Sequence, residues 1–267
     1  MKHGEAVTKA ITFLIQHASK NRGVLAGSLE SDAGRFEHAI AVAGLAEAAT
    51  FCRQFNVSIP DLDATVVRGG ELIIRAASAS GGAAFDPLLA AVCLHALKAC
   101  KQTTLFPNRK LSICVDSIFR RLGAWNAVGK AKSNPLEAGA VGLAYLQWDK
   151  GSEKVPRLLR KEMGRDFQFR WNDPAADLPA LYFNAYFLSA EGGAEWVKLN
   201  AMMTTELLAA QRPDGSFGRL GTSGDGGFSR MLQGDGGDAV HLRTCLAALT
   251  LEVYYRYFST VPSGGAK

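Results

Sequence analysis

No apolar run reaches the roughly 18 residues that a membrane-spanning helix requires, so no span is expected. The opening Met1–Glu5 has neither the basic stretch nor the apolar stretch of a secretory signal. Cysteines stand at 52, 93, 100, 114 and 245, and no two of them have CxxC spacing. That pattern predicts reduced thiols and a cytoplasmic protein, not a disulfide framework. Proline is sparse, with 9 residues in 267, and long alternating Val/Ile/Thr runs are missing, so a sheet is not expected. Neither a GK[ST] phosphate loop nor a GxSxG elbow occurs. Charge of one sign is also lacking: 30 basic residues face 25 acidic ones, for a net +5. The short basic clusters at Arg157–Arg165 and Arg120/Arg121 are not interleaved with aromatics, so they read as solvated helix faces and predict no nucleic-acid partner. With 48% apolar residues the chain is neither disordered nor too polar to bury a sizeable core.

What is there is helical periodicity. Phe36, Ile40, Ala43, Leu45 and Ala46 recur at three- and four-residue steps in an Ala-rich run, and the same spacing returns at 88–99, 138–146, 182–188 and 239–257. More amphipathic segments lie between them, at 6–17, 62–77, 111–122, 153–163 and 196–211. The two kinds alternate as roughly ten helices in five hairpins, with a period of about 50 residues. The small-residue helices share start signals. Asp86-Pro87 and Asn134-Pro135 place a cap acceptor before proline, and Glu137 follows its cap by three positions. Asp177 and Asp238 stand before the two late helices. Ala-rich helices packed on both sides suit an inner ring, and amphipathic ones an outer ring. The expected fold is all-α, an α/α toroid, with inner helices near 36–51, 86–100, 134–148, 178–190 and 238–257. One domain is expected over residues 1–258, with a flexible tail at 259–267. The glycine-dense stretch from Gln211 to Gly237 reads as an irregular crossover.

Several motifs resemble a known superfamily. Gln211-Arg-Pro-Asp-Gly-Ser-Phe217 resembles the QW motif of the squalene–hopene cyclase and protein prenyltransferase-β superfamily, with Phe217 in place of the usual Trp. Gly34-Arg-Phe-Glu-His-Ala-Ile40 looks like a segment of bacterial squalene-cyclase-like repeat proteins. Leu181–Tyr186, Gly192–Trp196 and the run from Gly236 to Tyr257 are similar to other segments of those proteins. The resemblance implies the toroid, a Gln211 that caps a neighbouring outer helix against the aromatic ring, and an apolar central cavity. Full toroids of the superfamily close with about six hairpins, and a chain of about five implies an open edge. Such an edge would offer a surface to a partner or a second copy.

The superfamily's chemistry is carried over residue by residue. Asp61 and Asp63 resemble part of the cyclase D-x-D-D acid, but Ala64 replaces the last Asp, and both open an amphipathic helix where acids complement the dipole. Asp238, His241 and Cys245 supply the zinc-ligand types of the prenyltransferases on one helix face. The D-x-C half of that motif is absent, so no metal and no other cofactor is expected. If the inner helices run the same way, Glu37, His38, Asp86, Glu137, Asp177, Tyr182, Asp238 and His241 gather at one cavity mouth. Clustered carboxylates would then raise one another's pKa and hold His38 or His241 protonated. The expected function is a non-catalytic binding or interaction module for a protein partner or an apolar small molecule. The alternative is a terpene cyclase- or prenyltransferase-like enzyme, or an isoprenoid-binding protein, that uses the central cavity.

Overall fold

The computed structural model describes residues 4–79, 86–190, 192–221, 232 and 236–256. The chain is all-α: among the described residues there is no strand, only an isolated bridge between Gln211 and Phe217. The expected tail at 259–267 lies outside the described residues, as do Gly224, Gly226, Gly227 and Gly234 of the glycine-dense stretch. No described helix is long and apolar enough to cross a membrane. The contacts divide the chain into two compact units, Met1–Trp125 and Asn126–Lys267.

The first unit holds α1 (Gly4–Lys20), α2 (Asp32–Gln54), α3 (Leu62–Ala79), α4 (Pro87–Gln102) and α5 (Asn108–Gly123). Its most extensive contact joins α2 to α4, while α3 touches both α1 and α5. The alternation expected from the sequence therefore appears as two layers, one of α2 and α4, the other of α1, α3 and α5. Small residues allow the α2–α4 approach: Ala39, Val42, Leu45, Ala46, Ala91, Leu94 and Ala96 are all buried. Helix α2 begins at Asp32, earlier than the expected 36, because the Ser31 hydroxyl accepts from the Gly34 N–H at 3.1 Å and caps the helix. Asp86 caps α4 as expected, through Leu89 N–H at 3.0 Å.

The second unit holds a short α6 (Lys130–Ser133), then α7 (Pro135–Gln147), α8 (Lys154–Asp166), α9 (Leu178–Ser189), α10 (Gly193–Ala210), α11 (Gly237–Leu251) and α12 (Val253–Arg256). Here α9 lies against α7 and α11, and α8 against α10. A Cβ on Gly142 would sit 2.6 Å from the Phe187 ring, so only glycine admits α9 at this distance. Asn134 caps α7 as expected: its side-chain Oδ1 accepts from Glu137 N–H at 3.1 Å. The reciprocal half of a capping box does not form, because Glu137 Oε2 accepts from the Asn134 side-chain amide at 2.6 Å while the Asn134 backbone N–H donates to Lys130 O at 2.8 Å.

Two expectations need correction. The last inner helix is not continuous over 238–257: α11 ends at Leu251, and α12 restarts at Val253. Asp238 does not precede α11 but sits in its first turn, with Gly236 at the cap position. Helix α11 is also less thoroughly buried than α7 or α9. His241, Cys245 and Ala248 are exposed, while Arg243 on its buried side is 0% exposed and donates to Leu232 O at 2.6 Å.

Candidate functional site

The first unit contains a cleft of about 80 Å³ between α2, α3, α4 and α5. Leu72, Ile73, Ala76, Leu89, Ala90 and Ile118 make its walls apolar. Polar groups enter from three elements. Asp32, Arg35 and His38 come from α2, Asp86 and Cys93 from the start of α4 and its next turns, and Ser117 and Arg121 from α5. On α2 the three residues stand at three-residue steps, and on α4 Asp86, Leu89, Ala90 and Cys93 stand at i, i+3, i+4 and i+7, so helix periodicity alone aligns each set on one face.

His38 is the most buried of these groups, at 1% exposure. Its Nδ1 accepts from Leu25 N–H at 3.0 Å, so the ring proton must sit on Nε2, which donates to Gly69 O at 3.1 Å. Burial lowers the His38 pKa, more than the Gly69 bond raises it. The imidazole is therefore neutral and committed at both nitrogens, contrary to the expectation of a carboxylate-held imidazolium. It ties α2 to α3 and to the α1–α2 loop. Arg35 is equally committed: its guanidinium donates to Leu29 O at 2.9 Å, Asp32 Oδ1 at 3.0 Å and Glu30 O at 3.2 Å. Burial pushes the Cys93 thiol up to about 12, with the neighbouring Cys114 adding to the shift. That thiol is not a nucleophile at neutral pH.

Of the other expected mouth residues in this unit, Asp86 joins His38 in the cleft, whereas Glu37 is exposed and is not among the lining residues. Asp61 and Asp63 are exposed at the start of α3. Asp63 pairs with Arg53 at 2.7 Å. Neither sits in the apolar cavity that an alkene-protonating acid needs.

In the second unit, Glu137 accepts from the Asn134 side-chain amide and lies 3.7 Å from Lys130 Nζ. Asp177 caps α9 through Ala180 N–H at 2.8 Å, and burial, not a neighbouring carboxylate, raises its pKa. Tyr182 is half-buried in an aromatic cluster, with ring centroids 5.0 Å from Phe183 and 4.8 Å from Tyr186. Asp238 is exposed. On the exposed face of α11, His241 Nε2 and Cys245 Sγ lie 3.6 Å apart. Among the described residues, no three His, Cys, Asp or Glu side chains gather as a metal site.

The stretch from Gln211 to Phe217 forms a tight turn: Ser216 O accepts from Arg212 N–H at 2.8 Å, and Gly215 has φ +84°. Gln211 does not cap a neighbouring helix. Its amide donates to Gly215 O at 3.3 Å, within the turn itself. Phe217 instead packs on Trp171 at 5.5 Å between ring centroids. Trp171 donates its N–H to Glu206 Oε2 at 2.8 Å and its indole N–H to Arg219 O at 2.9 Å. Sequence reasoning passed over Trp171, because it lies in a loop outside every helical period. It also passed over Asp32, Arg35 and Ser117, and it read Cys93 only as a reduced thiol and Arg121 only as part of a solvated helix face, whereas all five line the cleft. The Ser31 cap, read as a helix start, would have aligned Asp32 and Arg35 with His38.

No protein-family model matches the chain, and neither a curated protein nor a solved structure matches it.

Proposed function

We propose that the chain is a non-catalytic binding module, and that the cleft between α2, α3, α4 and α5 takes a small apolar molecule. The observation that carries this reading is the composition of the cleft: apolar walls from three helices, beside a histidine whose two ring nitrogens are both in use. A general base must be able to accept a proton from its substrate, and His38 has no free nitrogen to do so. Cys93, with its thiol pushed up to about 12, is no better as a nucleophile. Size argues against the isoprenoid-cyclising alternative at this cleft. Its volume of about 80 Å³ is roughly half that of the ~150 Å³ cavity that accepts benzene. The cleft is also open to solvent, so a short branched chain seats part of its body in this space, whereas a long isoprenoid would stay mostly outside it. The resemblance to squalene-cyclase-like repeat proteins supports the same reading, because the cyclase and prenyltransferase motifs are incomplete here.

The test is a titration of the protein with isopentanol, followed by amide NMR. The expected result is saturable shifts at the amides of Ile73, Ala90 and Ile118, abolished in Ala90→Phe, which fills the cleft. Unchanged amides around the cleft in the unsubstituted protein would overturn the reading.

A further inference from the structure

We infer that the cleft selects a ligand whose apolar body ends in a protonated amine, with Asp86 as its counter-ion. This rests on the binding role proposed above and adds the chemistry of the ligand.

The argument is an inventory of the cleft's polar groups. A bound polar group needs a complementary partner that is not already committed, since an unpaired buried group costs about 1–3 kcal/mol. Asp32 and Arg35 hold each other at 3.0 Å, and Arg35 directs its other donors at Leu29 O and Glu30 O. His38 is bonded at both nitrogens. Arg121 has a partner of its own. The cations of the cleft are thus engaged, which makes it a poor site for a carboxylate or phosphate despite two arginines in its lining.

Two groups differ. Asp86 uses Oδ1 to cap α4 through Leu89 N–H, and its Oδ2 makes no hydrogen bond among the described residues. The Ser117 hydroxyl, on the α5 side, likewise makes none. Both side chains are half-buried. An ionised carboxylate can only accept, and a hydroxyl can accept as well as donate. The Asp86 carboxylate thus has room for a charged donor, and Ser117 offers a second acceptor in the lining of the same cleft. An ammonium carries three N–H groups and makes a charge-assisted bond to the carboxylate, stronger than a neutral one. A hydroxyl ligand would satisfy only part of this set, and an anionic ligand would face Asp86 as a like charge. The apolar walls then fix the other end: Leu72, Ile73, Ala76 and Ile118 suit a short branched chain.

Three probes with a shared branched tail separate the terms: isopentylamine, isopentanol and isovalerate. Each is titrated into the unsubstituted protein and into Asp86→Asn, with Kd read from cleft amide shifts. Asparagine caps a helix about as well as aspartate, so the variant keeps α4 while removing the charge. A circular-dichroism melt checks that it does. The expected order is amine, then alcohol, then carboxylate, with the amine about tenfold tighter than the alcohol. In Asp86→Asn that advantage disappears, while the Kd of isopentanol stays unchanged. Isovalerate binding as tightly as the amine, or an amine preference that survives in Asp86→Asn, overturns this inference and leaves the binding role standing. Failure of all three probes to bind overturns both.

Discussion

Replacing His38 by alanine probes the most constrained polar group in the first unit. The substitution removes the acceptor of Leu25 N–H and the donor to Gly69 O, both buried. Each orphaned group costs about 1–3 kcal/mol, and the vacated ring volume adds a cavity term. Together they predict a loss of about 3–5 kcal/mol near pH 8. The pH dependence carries more information than the magnitude. Burial lowers the folded pKa of His38 below its ordinary 6.5. The neutral ring's contribution is therefore complete above pH 6.5. It is lost as pH falls below 6.5, because the unfolded chain then takes up a proton that the folded chain refuses. At about 1.4 kcal/mol per pH unit, the gap between wild type and His38→Ala should narrow by at most ~2 kcal/mol on going to about pH 5. Urea unfolding followed by helical circular dichroism at several pH values measures the gap. Exchange of the Leu25 amide, protected only while His38 Nδ1 accepts from it, gives a local check. A gap that widens on acidification, or one under about 1 kcal/mol at pH 8, would refute the assignment of a neutral, doubly bonded imidazole.

Two further outcomes concern the second unit. Phe217→Ala should destabilise by about 3–4 kcal/mol, since the ring is 2% exposed and packs on Trp171. The Trp171 indole N–H resonance should move, and an unchanged melt would show that the turn from Gln211 to Phe217 is not anchored by that contact. Gly142→Ala should also destabilise, by about 1–3 kcal/mol, although alanine favours a helix by about 1 kcal/mol. The added Cβ would lie 2.6 Å from the Phe187 ring, and a higher melting temperature would mean that α7 and α9 are not so close.

Local chemistry was legible without coordinates. Helix content follows from apolar period and Ala and Leu propensity, which act within a few residues. The Asp86 and Asn134 caps follow for the same reason: a cap acceptor, a proline and an acid at set offsets interact across less than one turn. The alternation of amphipathic and Ala-rich helices likewise anticipates the two layers within each unit, because each helix must bury its apolar face on something. These statements need only neighbours in sequence. Tertiary structure decided what each polar residue is for. His38 read as a protonated mouth residue because carboxylates from several helices were expected to gather around it. Its actual partners, Leu25 and Gly69, lie 13 and 31 residues away, and they make it neutral. Asp86 looked like a cap and is one, but only the packing of α2, α3 and α5 around it shows that it also lines an apolar cleft. Gln211 was expected to reach a neighbouring helix and instead closes its own turn, while Phe217 finds a tryptophan 46 positions upstream. Propensity and capping are set by covalent proximity. Protonation state, burial and the pairing of polar groups are set by whatever distant segments the fold brings alongside, and a single sequence does not carry that distance information.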